Sequence, residues 1–117
     1  MREADYQIFI AKLTTDEVAT RVARPGLCRV WTREAIRIAK SFRENNRLAF
    51  RIEAREKDIE IAFSHTFLRL LSEDSAYIFD GTGTGSFEPY FGLEAGAPHL
   101  SPSHIDMIQA YELADEL

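Results

Sequence analysis

The fold is decided by residues 31–71, which read WTREAIRIAKSFRENNRLAFRIEAREKDIEIAFSHTFLRLL. Within this stretch, residues 33–45 place apolar side chains on one helical face and basic side chains outside it, which predicts an amphipathic helix. Thr32 is a suitable N-cap, and Trp31 before it is positioned to pack on the first turn. The stretch therefore opens with a helix that buries one face.

A β-hairpin is predicted to follow this helix. Apolar and polar residues alternate over residues 48–54 and again over residues 59–63, on either side of a polar turn at residues 55–58. That period of two predicts an antiparallel pair of strands with one face in the core. Ser64 is then the predicted cap of a short apolar helix over residues 65–73.

The N-terminal part is predicted to form two strands around a short helix. Residues 6–13 are apolar and rich in aromatic and β-branched side chains, which predicts a strand. Thr14 and Glu17 fit a capping box for a helix over residues 15–23, with a strand as the open alternative. An Arg-Pro-Gly turn ends this segment, and residues 27–31 are predicted to form a second short strand.

The chain changes character after the opening stretch. Residues 76–80 are predicted to form a strand, and residues 81–101 a long loop rich in glycine and aromatic side chains. Ser101 as N-cap and Pro102 at the first helical position predict a final helix over residues 101–116.

The order of these elements predicts an α+β fold in a single globular domain that covers residues 1–117. We expect a mixed sheet of four to five strands with the hairpin at its centre. Three to four helices should cover this sheet mainly on one side.

The composition is that of an ordinary globular protein, with 45% hydrophobic and 28% charged residues. No apolar run reaches the length of about 20 residues that a membrane span needs, and the polar start does not resemble a signal peptide. We therefore expect a cytoplasmic protein with no membrane contact. Cys28 is the only cysteine, which excludes an internal disulfide and a multi-cysteine metal site.

Charge is segregated along the chain. Residues 29–57 carry nine Lys or Arg against four Glu, whereas residues 58–117 carry eleven Asp or Glu against one Arg. An asymmetry of this kind bears on partners rather than on fold. Either the two halves pack on each other, or an acidic surface in the second half meets a partner with a basic surface.

The glycine-rich segment at residues 81–86 follows a predicted strand, as a nucleotide-binding loop would. No helix directly follows the glycines and no Walker lysine is present, so a turn is the simpler interpretation. His99, His104 and Asp106, even with Asp80 nearby, match no metal-ligand spacing. We therefore predict neither a cofactor nor a metal.

Cys28 is a candidate nucleophile, with His65 as the base that it would need. A catalytic thiol must be deprotonated and reachable, whereas a lone cysteine within a hydrophobic run is usually a small core residue. The core interpretation is the simpler one, and the sequence favours a binding protein over an enzyme.

Three functional hypotheses follow from the sequence. The first is a non-catalytic protein-binding module of inhibitor or immunity type, which neutralises a macromolecular partner through an acidic, aromatic surface. The residues predicted to bind this partner are Asp80, Phe87, Glu88, Tyr90, Phe91, Glu94 and Asp106. The second is a small-molecule or nucleotide-binding protein or enzyme that uses residues 81–101 as a lid. The third is a nucleic-acid binder through residues 29–57, and a homodimer through the hairpin edge stays open.

Overall fold

The computed structural model has an α+β architecture, in which three α-helices pack on an antiparallel sheet. It describes residues 2–60, 63–73, 75–100 and 108–111. The elements are α1 (Glu3–Thr15), α2 (Glu17–Arg21), α3 (Cys28–Asn45), β1 (Arg51–Glu60), β2 (Phe63–Leu71), β3 (Ala76–Asp80), β4 (Tyr90–Leu93), two 3₁₀ helices (Glu94–Gly96 and Pro98–Leu100) and β5 (Ile108–Tyr111). Within the described ranges, no helix combines the length and the hydropathy that a membrane crossing requires.

The strand predicted over residues 6–13 is wrong, because this segment is the centre of α1. Tyr6, Phe9 and Leu13 are the buried residues of this helix, and their spacing of three and four positions is helical. Ile8 is 51% exposed, although a strand of this composition would also bury it. Helical spacing therefore decides the structure over the β-rich composition.

The short helix predicted over residues 15–23 is present as α2, but its cap is Asp16 rather than Thr14. The Asp16 carboxylate accepts hydrogen bonds from two first-turn backbone N–H groups, at 3.0 and 3.1 Å. Arg37 of α3 donates to the same carboxylate at 3.0 Å. Hydrogen bonds from the Ala19 backbone and from Arg37 hold the pKa of Asp16 below its ordinary value, so this cap also ties α2 to α3.

The short strand predicted over residues 27–31 is also wrong, because α3 begins at Cys28. Gly26, with a φ of +92°, turns the chain directly into this helix. Trp31 and Thr32 are buried inside α3, so Thr32 is not the N-cap. The predicted helix over residues 33–45 is confirmed, and its earlier start places Cys28 in the first turn.

A hairpin is present as β1 and β2, but its predicted turn and second strand are misplaced, because residues 59–60 still belong to β1 and the second strand is β2. β1 continues through residues 55–58, where a turn was predicted, and Arg51 at its start lies opposite Leu71 at the end of β2. β1 also pairs with β5, and β2 with β3, so both edges of the hairpin are occupied within this chain. The longer pairing explains why polar residues at 55–58 do not mark a turn.

The helix predicted over residues 65–73 is wrong, because most of this segment is β2. Phe67, Leu68 and Leu70 are all fully buried, although Phe67 and Leu68 point to opposite faces of the sheet. A strand that is covered on both faces reads as a continuous apolar run, which resembles a short buried helix.

The sheet has the order β4-β3-β2-β1-β5, and every neighbouring pair is antiparallel. The prediction of a mixed sheet is therefore wrong, whereas the strand over residues 76–80 is confirmed as β3. The predicted loop at 81–101 contains β4 and both 3₁₀ helices. Residues 108–111 form β5 where a helix over 101–116 was predicted, and the rest of that helix lies outside the described residues.

The sheet separates two apolar clusters. On one face, Phe79 belongs to a cluster with buried residues of all three helices, and its ring lies 4.9 Å from that of Phe9 of α1, between centroids. On the other face, Phe67 and Ile78 pack against Ala97 and Leu100 from the 3₁₀ segment. β2 and β3 are therefore covered on both sides, so the polar residues that they carry are drawn into the interior.

Candidate active site

Cys28 is the first residue of α3, and its N-cap residue, Leu27, offers no side chain to bond the first turn. The N-terminus of a helix carries partial positive charge, which stabilises an anion placed there. Cys28 keeps 9% of its surface exposed, so it is not completely enclosed. The residue is nevertheless buried, and its thiol lies where the helix N-terminus favours a thiolate.

His65 of β2 contacts both Cys28 and Asp80. Its Nε2 atom lies 2.9 Å from Asp80 Oδ2, at ion-pair distance but outside regular hydrogen-bond angles. The Cys28 thiol lies near enough to affect the pKa of the imidazole, although neither imidazole nitrogen has a hydrogen-bond partner of regular geometry. Imperfect alignment of this kind is common in unliganded catalytic sites. One helix and two neighbouring strands thus contribute a continuous row of thiol, imidazole and carboxylate.

The turn after β3 holds the second carboxylate oxygen of Asp80. Asp80 Oδ1 accepts hydrogen bonds from the backbone N–H groups of Thr82, at 3.2 Å, and Gly83, at 3.1 Å. The Thr82 hydroxyl lies 3.3 Å from the same oxygen. Gly83 has a φ of +63°, and a Cβ there would lie 2.6 Å from the Phe87 carbonyl oxygen, so the turn requires glycine. Because Oδ1 is engaged, Oδ2 is the oxygen left for His65.

Trp31 joins the first turn of α3 to the end of β3. Its indole lies against Gly81, where a Cβ would come within 2.1 Å of the ring. The same indole stacks on Phe91 of β4, with 6.1 Å between ring centroids. Trp31 is about one helical turn from Cys28, and Gly81 directly follows Asp80. This contact therefore keeps the helix that carries the thiol against the strand that carries the carboxylate.

The pKa values of Cys28 and His65 shift in opposite directions. Burial opposes ionisation of the thiol, but hydrogen bonds from His65 and Thr66 outweigh it and lower the pKa of Cys28 from its ordinary value of 9.0. Burial also opposes the imidazolium, but hydrogen bonds and charge from Asp80 and Cys28 raise the pKa of His65 to about 9. Both shifts favour a thiolate paired with an imidazolium.

The arrangement supplies a nucleophile, a base and a group that orients the base. Side chains of these three types form the nucleophilic sites of acyl-transfer enzymes on unrelated folds and in different orders along the chain. The described part of the chain contains no group of three or more His, Cys, Asp or Glu side chains arranged to hold a metal ion.

The structure separates the residues that were predicted to bind a protein partner. Asp80 is 1% exposed and belongs to the buried site, and Phe91 packs against the core on the helical face. Glu94 pairs with Arg69, with 2.5 Å between the charged groups. These side chains are therefore engaged within the protein.

The remaining predicted partner-binding residues lie on the second face of the sheet or outside the described ranges. Phe87 is 37% exposed and stacks on His99 at 4.2 Å between ring centroids, and Glu88 beside it is exposed. Tyr90 donates a hydrogen bond from its hydroxyl to the Leu93 carbonyl, at 2.6 Å. Asp106, like His104, lies outside the described residues. A role in partner binding stays a prediction for this group.

Several basic residues from 29–57, proposed for nucleic-acid contact, pair with carboxylates. Arg37 bonds Asp16 at 3.0 Å, and Arg55 bonds Glu53 at 3.0 Å. The glycine-rich turn also has an internal partner, because the backbone N–H of Gly83 donates a hydrogen bond to the Asp80 carboxylate. These contacts reduce the positive charge that a nucleic acid would meet at the arginines and the N–H donors that a nucleotide phosphate would meet at the turn.

Asp80 is the member of the site that the sequence pattern does not reveal. The sequence pairs Cys28 with His65, but it assigns Cys28 to a strand and Asp80 to the surface. The available signal is a carboxylate that ends an apolar strand directly before a Gly-Thr-Gly turn. That signal fits a solvated turn equally well, so only the strand register identifies Asp80 as the partner of His65.

Comparisons of the chain with protein-family models, with curated proteins and with solved structures find no match. The function is therefore inferred from Cys28, His65 and Asp80.

Proposed function

We propose that this protein is a cysteine-dependent acyl-transfer enzyme, which cleaves an amide or ester bond through a thioester on Cys28. The observation that carries the proposal is the row of contacts from Cys28 through His65 to Asp80 at the N-terminus of α3. A thiol activated by an imidazole, which a carboxylate orients in turn, is the general arrangement of nucleophilic acyl transfer.

In the first half of the reaction, the Cys28 thiolate attacks the carbonyl carbon of the acyl donor. The carbonyl oxygen becomes an oxyanion, and the partial positive charge at the start of α3 favours negative charge at this place. The His65 imidazolium then donates its proton to the leaving amine or alcohol. The carbon–nitrogen or carbon–oxygen bond breaks, and the acyl group remains on Cys28 as a thioester.

In the second half, neutral His65 accepts a proton from a water or another nucleophile, which attacks the thioester carbonyl. The carbon–sulfur bond breaks, the acyl product leaves, and the thiolate–imidazolium pair is restored. Asp80 keeps the imidazole oriented and stabilises its charged form throughout.

Reaction with para-nitrophenyl acetate tests this proposal. The native protein is expected to release para-nitrophenolate in a burst and to gain one acetyl group, measured by intact-mass spectrometry. Cys28→Ser should remove this acetylation, and the assignment is unambiguous because the chain has one cysteine. His65→Gln should slow acetylation by about 10²–10⁴-fold, the usual contribution of a general acid and base.

His99→Gln is the matched control, since His99 stacks on Phe87 and is not part of the row. It should acetylate at the native rate. Acetylation of the folded protein no faster than that of the urea-unfolded chain would contradict the proposal.

A second candidate function is the non-catalytic protein-binding module of inhibitor or immunity type, which acts through the second half of the chain. It is supported by exposed apolar side chains there, namely Phe87 at 37% and Leu93 at 52% exposure, beside the exposed carboxylate of Glu88. Affinity capture from the native cell with the Cys28→Ala variant tests it. A stoichiometric partner that Phe87→Ala with Glu88→Lys releases would support this function, and absence of any partner at low and high salt would contradict it.

A further inference from the structure

Three arginine residues lie in or directly before the first turns of α3, the helix that begins at Cys28. Arg24 lies in the turn before α3, where its carbonyl accepts the Leu27 N–H at 3.2 Å. Arg29 is next to Cys28, and Arg33 follows Arg29 by four residues, so the two lie on the same side of the helix. All three arginines are exposed. We call Arg24, Arg29 and Arg33 the basic rim.

Little negative charge opposes this rim. The Arg29 guanidinium, 75% exposed, pairs with Glu56 of β1 at 2.8 Å, and Glu56 itself is 13% exposed. Within the described residues, neither Arg24 nor Arg33 pairs with a carboxylate, and the first turn of α3 contains no acidic residue. Arg37, further along the same helix, differs because its guanidinium pairs with the carboxylates of both Asp16 and Glu34. Arg24 and Arg33 therefore carry positive charge near the start of α3 without a carboxylate partner among the described residues.

We propose that the basic rim selects acyl donors that carry a carboxylate close to the reacting carbonyl, as acidic peptides do. This inference rests on the proposed acyl-transfer function and names its substrate class. The guanidinium groups stay in solvent, where they meet a substrate before it reaches Cys28. Exposed charges of this kind raise the rate of encounter with an oppositely charged group, and salt screens the effect over a distance of about 10 Å at 0.1 M ionic strength.

Two acyl donors of matched size test the proposal. The acyl group of para-nitrophenyl hemisuccinate ends in a carboxylate, whereas that of para-nitrophenyl butyrate ends in a methyl group. We expect the native protein to prefer the hemisuccinate at low ionic strength, and the Arg29→Ala with Arg33→Ala variant to lower the ratio of the two acylation rates by about two- to fivefold per charge removed. Added salt should lower the native ratio in the same direction.

Lys12→Ala is the matched control, because Lys12 borders a cleft formed with residues 37–45, in the C-terminal half of α3. It removes one exposed positive charge and should leave the ratio unchanged. The rates of alkylation by iodoacetate and iodoacetamide give a second measurement of the same electrostatic effect, which does not require acyl transfer.

The outcomes separate the inference from the proposed function. Acylation of Cys28 with a ratio that the rim variant and salt leave unchanged overturns the basic rim alone. Absence of acylation by either ester overturns acyl transfer. In that case, an iodoacetate preference that the rim variant abolishes still supports the rim as an anion-selective entrance, and equal variant and native preferences overturn it.

Discussion

His65 Nε2 lies 2.9 Å from Asp80 Oδ2, and the two side chains are only 1% and 2% exposed. Two ionisable groups withdrawn from water to this extent are favourable only as a pair, because each would be costly to bury alone. Strand alternation places the pair on the same sheet face as Phe67 and Ile78, which the 3₁₀ segment covers. His65 also lowers the pKa of the Cys28 thiol. The existence of this pair is the reason to regard Cys28 as a nucleophile rather than a small core residue.

Asp80→Asn keeps the shape of this side chain but removes its charge. We expect the pKa of His65 to fall, the fraction of Cys28 present as thiolate at neutral pH to fall with it, and acetylation to slow. The ultraviolet absorbance of the thiolate against pH measures this change. Glu88→Gln, which removes an exposed carboxylate from the loop after Asp80, is the control and should leave the titration unchanged.

Acyl transfer should depend on pH in a bell-shaped manner. The rate rises as the thiolate forms, at a pH below the ordinary thiol value of 9.0 because the pKa of Cys28 is lowered. It falls as the imidazolium loses its proton, because the pKa of His65 is raised to about 9. The initial rate of para-nitrophenolate release against pH measures both limbs. An alkaline limb that survives His65→Gln would contradict its assignment to His65.

The raised pKa of His65 also makes folding stability depend on pH. A group whose pKa is higher in the folded state contributes stability in full below its unfolded pKa, here 6.5, and loses it as pH rises through the folded value, here about 9. The free energy of unfolding of the native protein should therefore exceed that of His65→Asn most at low pH. Urea titrations at several pH values should show this difference shrinking towards pH 9. A difference that grows over this range would contradict the ion pair.

The Thr82 hydroxyl holds the turn that positions the carboxylate, because it lies 3.0 Å from the Gly83 carbonyl oxygen and 3.3 Å from Asp80 Oδ1. Thr82→Val removes the hydroxyl that lies 3.3 Å from Asp80 Oδ1 but keeps the backbone N–H, so we expect a smaller loss of acylation rate than for Asp80→Asn. The pKa of His65, measured by nuclear magnetic resonance, should fall in the same variant. Thr82→Ser restores the hydroxyl and should restore both values, which a purely structural role for the methyl group would not explain.

Gly81 admits no side chain beneath Trp31. Gly81→Ala should lower the free energy of unfolding by about 1–3 kcal/mol, the usual effect of overpacking, because its Cβ would lie 2.1 Å from the indole. Gly85→Ala is the matched control, since nothing lies within 4 Å of a Cβ there. Thermal or urea unfolding measures both variants. Equal stabilities would contradict the contact between α3 and the end of β3.

The sequence by itself determined the elements whose local pattern fits only one type of secondary structure. The body of α3 follows from apolar residues at helical spacing, and β3 from an apolar run between polar turns. Alternation over residues 48–54 predicts the first strand of the hairpin, but the polar residues at 55–58 suggested a turn that the longer pairing of β1 with β2 overrides. The prediction of α3 holds because burial of one helical face suffices to explain its pattern.

The tertiary structure decided between helix and strand in the segments whose sequence is compatible with both. Residues 6–13 contain both a β-rich composition and the helical spacing of Tyr6, Phe9 and Leu13, and packing on the sheet selects the helix. The sequence of β2 resembles a short buried helix because both of its faces are apolar. Its second face is covered by the 3₁₀ segment, which the local sequence does not indicate.

The candidate site also belongs to the tertiary structure. The sequence offers one cysteine and a histidine 37 positions later, but it does not specify the start of α3 or the register of β2 on β3. Those two features bring Cys28 to His65 and place Asp80 Oδ2 beside the imidazole. Side chains from distant positions meet through long-range pairing, and the physical reason is that strand register and helix docking are set by burial of whole faces rather than by neighbouring residues.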